Sequence, residues 1–178
     1  MRRALSIVAF LAAACVRPRS EPQDRAPTLA GSWRTEGYGL AVEIAGDTAL
    51  AVFEVTGISC LPSFQARATT APEGALAAFR LTEAPLTFLV LPDSGPDRLR
   101  LHMNGAASDL VIRRVSARPP ACERPPENTP GSNFEVFAAT WAEQYGFFDL
   151  KGADWAAIVE ANRPKVTDKT TPAEYSTS

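Results

Sequence analysis

A series of short runs between residues 30 and 115, in which apolar and polar residues alternate, constrains the fold of this chain most strongly. Alternation with a period of two is typical of strands that bury one face. Turn-forming residues such as Ala45-Gly46-Asp47 and Pro92-Asp93-Ser94-Gly95-Pro96 separate the runs, and no helical crossover lies between them. Parallel pairing is therefore disfavoured. The sequence predicts seven or eight strands in a small antiparallel up-and-down β barrel, with a sandwich as the related arrangement.

The start of the predicted barrel carries a tryptophan that bears on what the barrel contains. Gly31-Ser32-Trp33 resembles the G-x-W opening of lipocalins, in which the tryptophan closes one end of the barrel. A barrel built from so few residues is either filled by its own side chains or holds one small ligand. The filled barrel, plugged by Trp33, is the preferred interpretation. An exported, lipocalin-like module that binds a small apolar ligand is the alternative.

The region after the predicted barrel is helical and rich in aromatic residues. An aromatic stripe recurs at steps of three and four residues, which is the spacing of one helix face. A capping box formed by Ser132 and Glu135 is predicted to start this helix. The stripe comprises Phe134, Phe137, Trp141, Tyr145 and Phe148.

Start and stop signals delimit a second helix. Lys151-Gly152 closes the first helical unit, Asp154 caps the second ahead of Trp155, Ile158 and Val159, and Pro164 ends it. The predicted helices span residues 133–145 and 154–162. The overall fold class is thus mainly β with C-terminal helices (α+β). The exposed aromatic groups must pack on the barrel or on a domain outside this chain.

The aromatic stripe and the following G-x-D-W-x-x-x-x-x-x-x-R-P-x-V pattern, residues 152–166, resemble one known family. They are similar to the helical region that precedes the catalytic core in bacterial serine peptidases of the C-terminal-processing (tail-specific, tricorn-like) family. Residues 33–39 and the Val-Thr-Gly-Ile-Ser-Cys run at 55–60 are similar to further segments of that family. The resemblance implies a non-catalytic accessory region of a peptidase, whose core with a working serine and lysine is not encoded in this chain. It implies no cofactor.

Candidate catalytic residues are few, and each has a simpler interpretation. A serine nucleophile needs a base and oxyanion donors, and no G-x-S-x-G elbow is present. Ser59 has no base nearby in sequence, and His102 is predicted to face outward from a strand at the barrel surface or rim. No metal-binding spacing is present either, and only one histidine occurs. The carboxylates and lysines, interpreted as solvated groups, are Glu36, Glu43, Glu54, Lys151, Lys165 and Lys169.

The amino terminus reads as an export signal. Arg2-Arg3 precede the apolar stretch 4–14, which is too short to span a bilayer comfortably. Leu11-Ala12-Ala13-Ala14-Cys15 resembles a lipobox, which predicts that Cys15 is lipidated and anchors the chain to a membrane of the cell envelope, facing the periplasm or on the outer membrane. Ordinary secretion with cleavage near Ala14, or a buried free cysteine, are the alternatives. In an oxidising compartment, Cys60 and Cys122 are predicted to form a disulfide, with separately buried thiols as the alternative.

Composition and chain organisation complete the prediction. The chain has 178 residues, a formal net charge of −2 and no basic patch, which gives nucleic-acid binding no support. The end of the chain, Thr171-Pro172-Ala173-Glu174, is typical of a helix start, with a frayed polar tail as the alternative. Together with the family resemblance, this pattern predicts truncation before the catalytic core. The predicted segments are a signal peptide (1–14), a disordered linker (15–29), the barrel (30–117), a Pro-rich linker (118–132) and the helical region (133–178). The predicted partners are a membrane and a peptidase core domain.

Overall fold

The computed structural model describes residues 28–171, in which eight antiparallel strands close into a barrel followed by helices. Each strand pairs with its neighbours in the sequence, and β1 pairs with β8 to close the barrel. The predicted mainly β fold with C-terminal helices is therefore confirmed. The strands are β1 Gly31–Thr35, β2 Leu40–Ala45, β3 Ala49–Val55, β4 Cys60–Thr69, β5 Ala77–Leu81, β6 Thr87–Pro92, β7 Arg98–Met103 and β8 Leu110–Val115.

The interior of the barrel is filled by inward-pointing apolar side chains from all eight strands. Alternation places one residue in two on the inner face, as in Leu99 and Leu101 of β7. These side chains form one continuous cluster in which no member is more than 3% exposed. The inner cluster comprises Trp33, Val42, Ile44, Leu50, Val52, Ala66, Phe79, Phe88, Val90, Leu99, Leu101 and Ile112.

Strand β4 is longer than the sequence suggested, because a register shift accommodates its proline. The sequence predicts a strand at residues 63–69, and β4 has three more residues before this run, starting at Cys60. Val52 of β3 lies opposite Phe64 while its neighbour Phe53 lies opposite Pro62, so Ser63 is the extra residue of a bulge. Proline is tolerated at bulges because it has no N–H to donate to the ladder.

After β8 the chain folds back over the outside of the barrel and is fixed there by a disulfide. The returning segment contains a short 3-10 helix, Pro120–Cys122. Arg118 pairs with Glu43 of β2 at 3.2 Å and its guanidinium lies 4.8 Å from the ring centre of Phe53. Cys122 is bonded to Cys60 at the start of β4, with a Cα–Cα distance of 4.8 Å. The predicted disulfide is confirmed, and we call residues 116–122 the strap.

The strap covers an apolar patch on the outer face of the barrel. Ala41 and Val55 point outward from β2 and β3, yet they are only 2% and 3% exposed. They pack with Cys60 and Phe53 against Ala121 and Cys122. Outward positions on a barrel are normally polar, so this patch explains why the chain follows this route after β8.

The helical region consists of α1 Pro130–Gln144, α2 Phe148–Lys151 and α3 Trp155–Asn162, followed by a 3-10 turn, Arg163–Lys165. Among residues 28–171, no helix has the length and apolar character needed to span a bilayer. The second predicted helix is confirmed, because Oδ1 of Asp154 accepts the N–H of Ala157 at 3.0 Å. Gly152 ends α2 in the left-handed conformation that favours glycine (φ 61°).

Two predictions about α1 are wrong. Thr129, not Ser132, caps the helix: Oγ1 of Thr129 accepts the N–H of Ser132 at 3.2 Å. The start shifts because Pro130 occupies the first helical position, where its fixed φ suits the helix and its missing N–H costs nothing. The aromatic stripe also does not lie on one helix, since the chain becomes extended at Tyr145 and Phe148 belongs to α2.

Candidate functional site

We take an apolar groove between α1 and α3 as the candidate site. Its volume is about 560 Å³. Phe134 and Phe137 of α1 form one wall, and Ile158 and Val159 of α3 form the other. Trp155 and Val166 complete the apolar lining, and the polar residues of the lining are Asn133, Asn162, Lys165 and Thr170.

The floor of the groove is a small core of its own. Phe134, Ala138 and Val159 are buried to 7–9% exposure and pack together between the two helices. Nε1 of Trp155 donates to the carbonyl oxygen of Ala138 at 3.0 Å, which fixes the start of α3 against the middle of α1. The groove walls are therefore held in place by their own packing.

The rim of the groove is apolar but open to solvent. Phe137 is 49% exposed although its neighbour Ala138 is buried, and Ile158 is 43% exposed although its neighbour Val159 is buried. A helix face that buries only part of its apolar stripe leaves the remainder available for another surface. The two helices therefore bury part of their apolar faces against each other and leave the rest of those faces uncovered.

The aromatic side chains next to the groove contact one another in a continuous cluster. Trp141 lies 6.1 Å from Phe137, 5.0 Å from Tyr145 and 6.2 Å from Trp155, measured between ring centres. Phe148 stacks on Trp155 at 5.0 Å. Phe147 extends the cluster through Tyr145 and is 57% exposed, and Trp141 is 40% exposed. We call this set the aromatic cluster.

Contacts made by two polar side chains, Glu143 and Gln144, join the end of α1 to the barrel. The backbone N–H of Gly57, in the turn between β3 and β4, donates to Oε1 of Glu143 at 2.8 Å. Gln144 lies against Gly39, where a Cβ atom would come within 2.6 Å of its side-chain nitrogen. The sequence predicted that the aromatic groups pack on the barrel or on a domain outside the chain. The structure shows them packed on each other, with several faces open to solvent.

Two basic residues lie after α3, and they differ in whether they are paired with carboxylates. Arg163 pairs with Glu135 of α1 and with Glu160 at 3.1 Å, which ties the end of α3 to α1. Nζ of Lys165 donates to Oδ1 of Asn162 at 2.8 Å, and no carboxylate of residues 28–171 lies within ion-pair distance of it. Among residues 28–171, Lys165 is the only charged residue that lines the groove.

Ser59, the serine considered as a nucleophile, is a structural residue of the turn between β3 and β4. Its side chain is 1% exposed, and its hydroxyl lies 2.7 Å from Oγ1 of Thr56. Oγ1 of Thr56 also accepts the N–H of Ser59 at 3.1 Å, and the N–H of Thr56 donates to the Ser59 carbonyl. The arrangement closes a tight turn and provides no base for the hydroxyl.

His102 faces outward from β7, as predicted from its position between two residues of the opposite face. Its Nδ1 lies 2.8 Å from Oδ1 of Asp109, whose other oxygen accepts from Arg100 at 2.8 Å. Asp109 thus bridges two outward side chains of one strand. Among residues 28–171, no serine, threonine or cysteine side chain hydrogen-bonds to His102 or Asp109, so these residues do not complete a Ser-His-Asp arrangement with this pair.

The three carboxylates considered in the sequence lie apart and form ordinary surface contacts. Glu36 accepts from Arg113 at 2.8 Å and pairs with Arg98 at 3.1 Å. Glu43 accepts from Ser32 at 2.9 Å, and Glu54 is exposed. Within residues 28–171, no group of His, Cys, Asp and Glu side chains is arranged to hold a metal ion. Cys15 and the predicted export signal lie outside the described residues.

Arg114 is the main residue of the barrel that sequence reasoning missed. It lies opposite Trp33 in the β1–β8 pairing, with its guanidinium 4.1 Å from the centre of the indole ring. Nη1 donates to the carbonyl of Ala30 at 2.9 Å, Nη2 donates to that of Thr28, and Nε donates to Asp97. Nε1 of Trp33 donates to Leu29 at 3.0 Å. Trp33 and Arg114 together close this end of the barrel, which only the strand register reveals.

Comparisons of the chain with known protein families, with curated proteins and with solved structures found no match.

Proposed function

We propose that this chain is a non-catalytic accessory region that docks the catalytic core of a serine peptidase on its helical region. The observation that carries the proposal is the open groove between α1 and α3, whose rim residues Phe137 and Ile158 are about half exposed. Exposed contiguous apolar surfaces of this kind commonly mark protein interaction sites. The resemblance of residues 152–166 to the region before the core of C-terminal-processing peptidases supplies the kind of partner.

The composition of the surface supports a protein partner. Aromatic residues are enriched at interfaces, and truncating a central aromatic residue often costs more than 1 kcal/mol of binding free energy. Trp141, Phe137 and Phe147 each keep 40–57% of their surface exposed while remaining anchored to neighbouring rings. Side chains that are already held in place lose little conformational entropy when a partner covers them.

The division of labour between the two parts of the chain also fits an accessory role. The barrel is a closed unit with a filled interior, whereas the helical region bears the exposed aromatic groups Phe137, Trp141 and Phe147. The strap, its disulfide and the Gly57–Glu143 hydrogen bond connect the two. A closed, filled barrel joined to a helical region with exposed apolar groups is suited to positioning a separate domain.

The alternative function, a lipocalin-like barrel that binds a small apolar ligand, is compatible with the fold. The packing of the interior weighs against it, because the inner cluster is buried to 3% exposure or less and Trp33 with Arg114 closes one end. A ligand would have to displace packed side chains, which costs stability. Purified protein that retains an apolar molecule, released on denaturation, would support this alternative.

Anchoring of the chain at Cys15 is a second part of the proposal. A lipidated cysteine would hold the accessory region and its partner at the membrane of the cell envelope. Palmitate labelling of the protein in cells is expected to occur in the wild type and to disappear in Cys15→Ser. Labelling that persists in this variant would contradict the anchor.

Binding of a purified core tests the docking proposal. The probe is the catalytic core of a C-terminal-processing peptidase encoded in the same genome, titrated by calorimetry with the full chain. We expect Ile158→Ser to weaken binding about tenfold, since truncating a hot-spot side chain costs more than about 1 kcal/mol.

A matched control separates docking from general surface effects. Ile58 has the same side chain and is 53% exposed, but it lies on the β3–β4 turn outside the groove. Ile58→Ser is expected to leave the affinity unchanged. Equal effects of the two substitutions, or no binding by the wild type, would refute the proposed function.

A further inference from the structure

We propose that the groove between α1 and α3 accepts an amphipathic helix of the partner that carries a carboxylate positioned to pair with Lys165. This inference rests on the proposed function, because it describes the element of the partner that enters the same surface. The resemblance to a peptidase family says nothing about this contact. The inference comes from the volume, walls and charge of the groove.

The volume of the groove sets how much of a partner it takes up. A dry cavity of about 150 Å³ accommodates one benzene-sized group. The groove measures about 560 Å³ and therefore accommodates roughly three large apolar side chains. A small ligand of one ring would leave most of the apolar lining in contact with water.

The walls of the groove favour a helix as the source of these side chains. Both walls are helices, and their floor residues Phe134, Ala138 and Val159 already pack in the manner of a helix pair. A third helix laid in the open side would present its residues i, i+3 or i+4, and i+7, which are roughly three apolar anchors on one face. Phe137 and Ile158, at the two rims, would then be covered on the side that is now exposed.

The charge of the groove lining indicates which type of residue the partner helix carries beside its apolar stripe. Lys165 is the only charged residue of the groove lining in the described part of the chain, and its ammonium group is hydrogen-bonded to an amide, not to a carboxylate. Arg163 cannot take this role because Glu135 and Glu160 already occupy it. A carboxylate next to the apolar stripe of the partner would pair with Lys165 as the helix enters.

A membrane surface fits the same region less well. Residues 130–171 contain six carboxylates and only four basic side chains, so the helical region as a whole is acidic. Anionic lipid surfaces repel such a region, since membrane-binding segments usually carry clusters of Lys and Arg. Of the four basic side chains in this range, Lys165 is the one that lines the groove, and Arg163 is already paired with two carboxylates.

The experiment uses three synthetic helical peptides with identical apolar stripes that differ at one flanking position, which is Glu, Gln or Lys. Their affinities for the full chain are measured by fluorescence anisotropy. We expect the Glu peptide to bind about three- to fivefold more tightly than the Gln peptide, as for a partly exposed ion pair. We expect Lys165→Glu to reverse the order, so that the Lys peptide binds best.

Two substitutions control the interpretation. Lys169→Glu makes the same change in net charge, but Lys169 does not line the groove, so it should leave the order unchanged. Ile158→Ser should lower the affinity of all three peptides by the same factor. Equal affinities for the three peptides, with Ile158→Ser still effective, would overturn the carboxylate contact and leave groove docking intact.

The remaining outcomes are also decisive. If the peptidase core binds in an Ile158-dependent manner while none of the peptides binds, the helical occupant is wrong. If neither the core nor the peptides bind, the proposed function fails with it. If the full chain instead partitions onto phosphatidylcholine–phosphatidylglycerol vesicles and loses this in Ile158→Ser, the groove faces a membrane and the inference is overturned.

Discussion

Removal of the Cys60–Cys122 disulfide is expected to destabilise the chain strongly without changing its fold. The perturbation is the double substitution Cys60→Ala, Cys122→Ala. The barrel closes through the β1–β8 pairing and is filled by its inner cluster, and neither involves the bridge. The strap also keeps the Arg118–Glu43 ion pair and the packing of Ala121 on the outer patch. The loss should therefore appear in stability and not in secondary structure.

The expected magnitude follows from the length of chain that the bridge closes. The two cysteines are 62 residues apart in sequence. The chain-entropy treatment of a cross-link then gives a stabilisation of about 4 kcal/mol through the unfolded state. For a chain of this size, each kcal/mol corresponds to about 2–4 °C, so we expect the melting temperature to fall by about 8–16 °C.

Urea denaturation of the full chain, followed by tryptophan fluorescence and circular dichroism, provides the assay. The wild type, the double alanine variant and Cys15→Ala are compared under non-reducing conditions. Cys15→Ala serves as a control that removes a cysteine outside the bridge. A loss of less than about 1 kcal/mol in the double variant, far below the chain-entropy value, would refute the reasoning. So would an equal loss in Cys15→Ala.

Three other substitutions test separate parts of the account by thermal and urea denaturation. Phe79→Ala removes a ring that is 0% exposed in the inner cluster, so we expect a loss of about 3–5 kcal/mol, and a loss below about 1 kcal/mol would contradict a filled interior. Gly31→Ala places a Cβ atom 2.7 Å from Nη1 of Arg114 at a residue with φ of 136°, so we expect a loss of about 1–3 kcal/mol, whereas an unchanged midpoint would show that this end of the barrel is loose. Asp154→Ala removes the cap of α3 and is expected to cost about 1 kcal/mol with weaker binding of the core, while unchanged helicity and affinity would contradict the role of the cap.

Hydrolytic activity is tested on the purified full chain. The two candidate catalytic residues, Ser59 and His102, do not form an activated nucleophile. Ser59 is buried in a turn, and among the described residues His102 pairs only with Asp109. We expect no labelling by fluorophosphonates and no cleavage of unstructured peptides. Turnover that disappears when a single serine of this chain is substituted would contradict the accessory role.

Local periodicity was sufficient to predict the barrel but not its details. Alternation with a period of two puts Leu99 and Leu101 on one face of their strand and His102 on the other, and in the structure the two leucines face the interior while His102 faces outward. It did not predict the bulge at Ser63, because the bulge depends on the pairing of Pro62 with Phe53 in another strand. Long-range register is not encoded in the pattern of one strand.

The candidate site was predictable only in part for the same reason. The aromatic residues and the cap at Asp154 predicted two helices. The sequence also indicated that the apolar groups of these helices must pack on the barrel or on another domain. It did not show that Phe134 and Val159 form the floor while Phe137 and Ile158 form the rim, because this depends on how α1 and α3 cross. Lys165 was interpreted as a solvated lysine, since its place in the groove lining follows from the 3-10 turn after α3.

The central claim, that the helical region docks a peptidase core, is tested most directly by amide hydrogen exchange of the full chain with and without the core. The account predicts that protection on binding concentrates in residues 133–166, on α1 and α3, while the strands of the barrel exchange as before. Protection that falls on the barrel strands instead, with no change in α1 and α3, would contradict it.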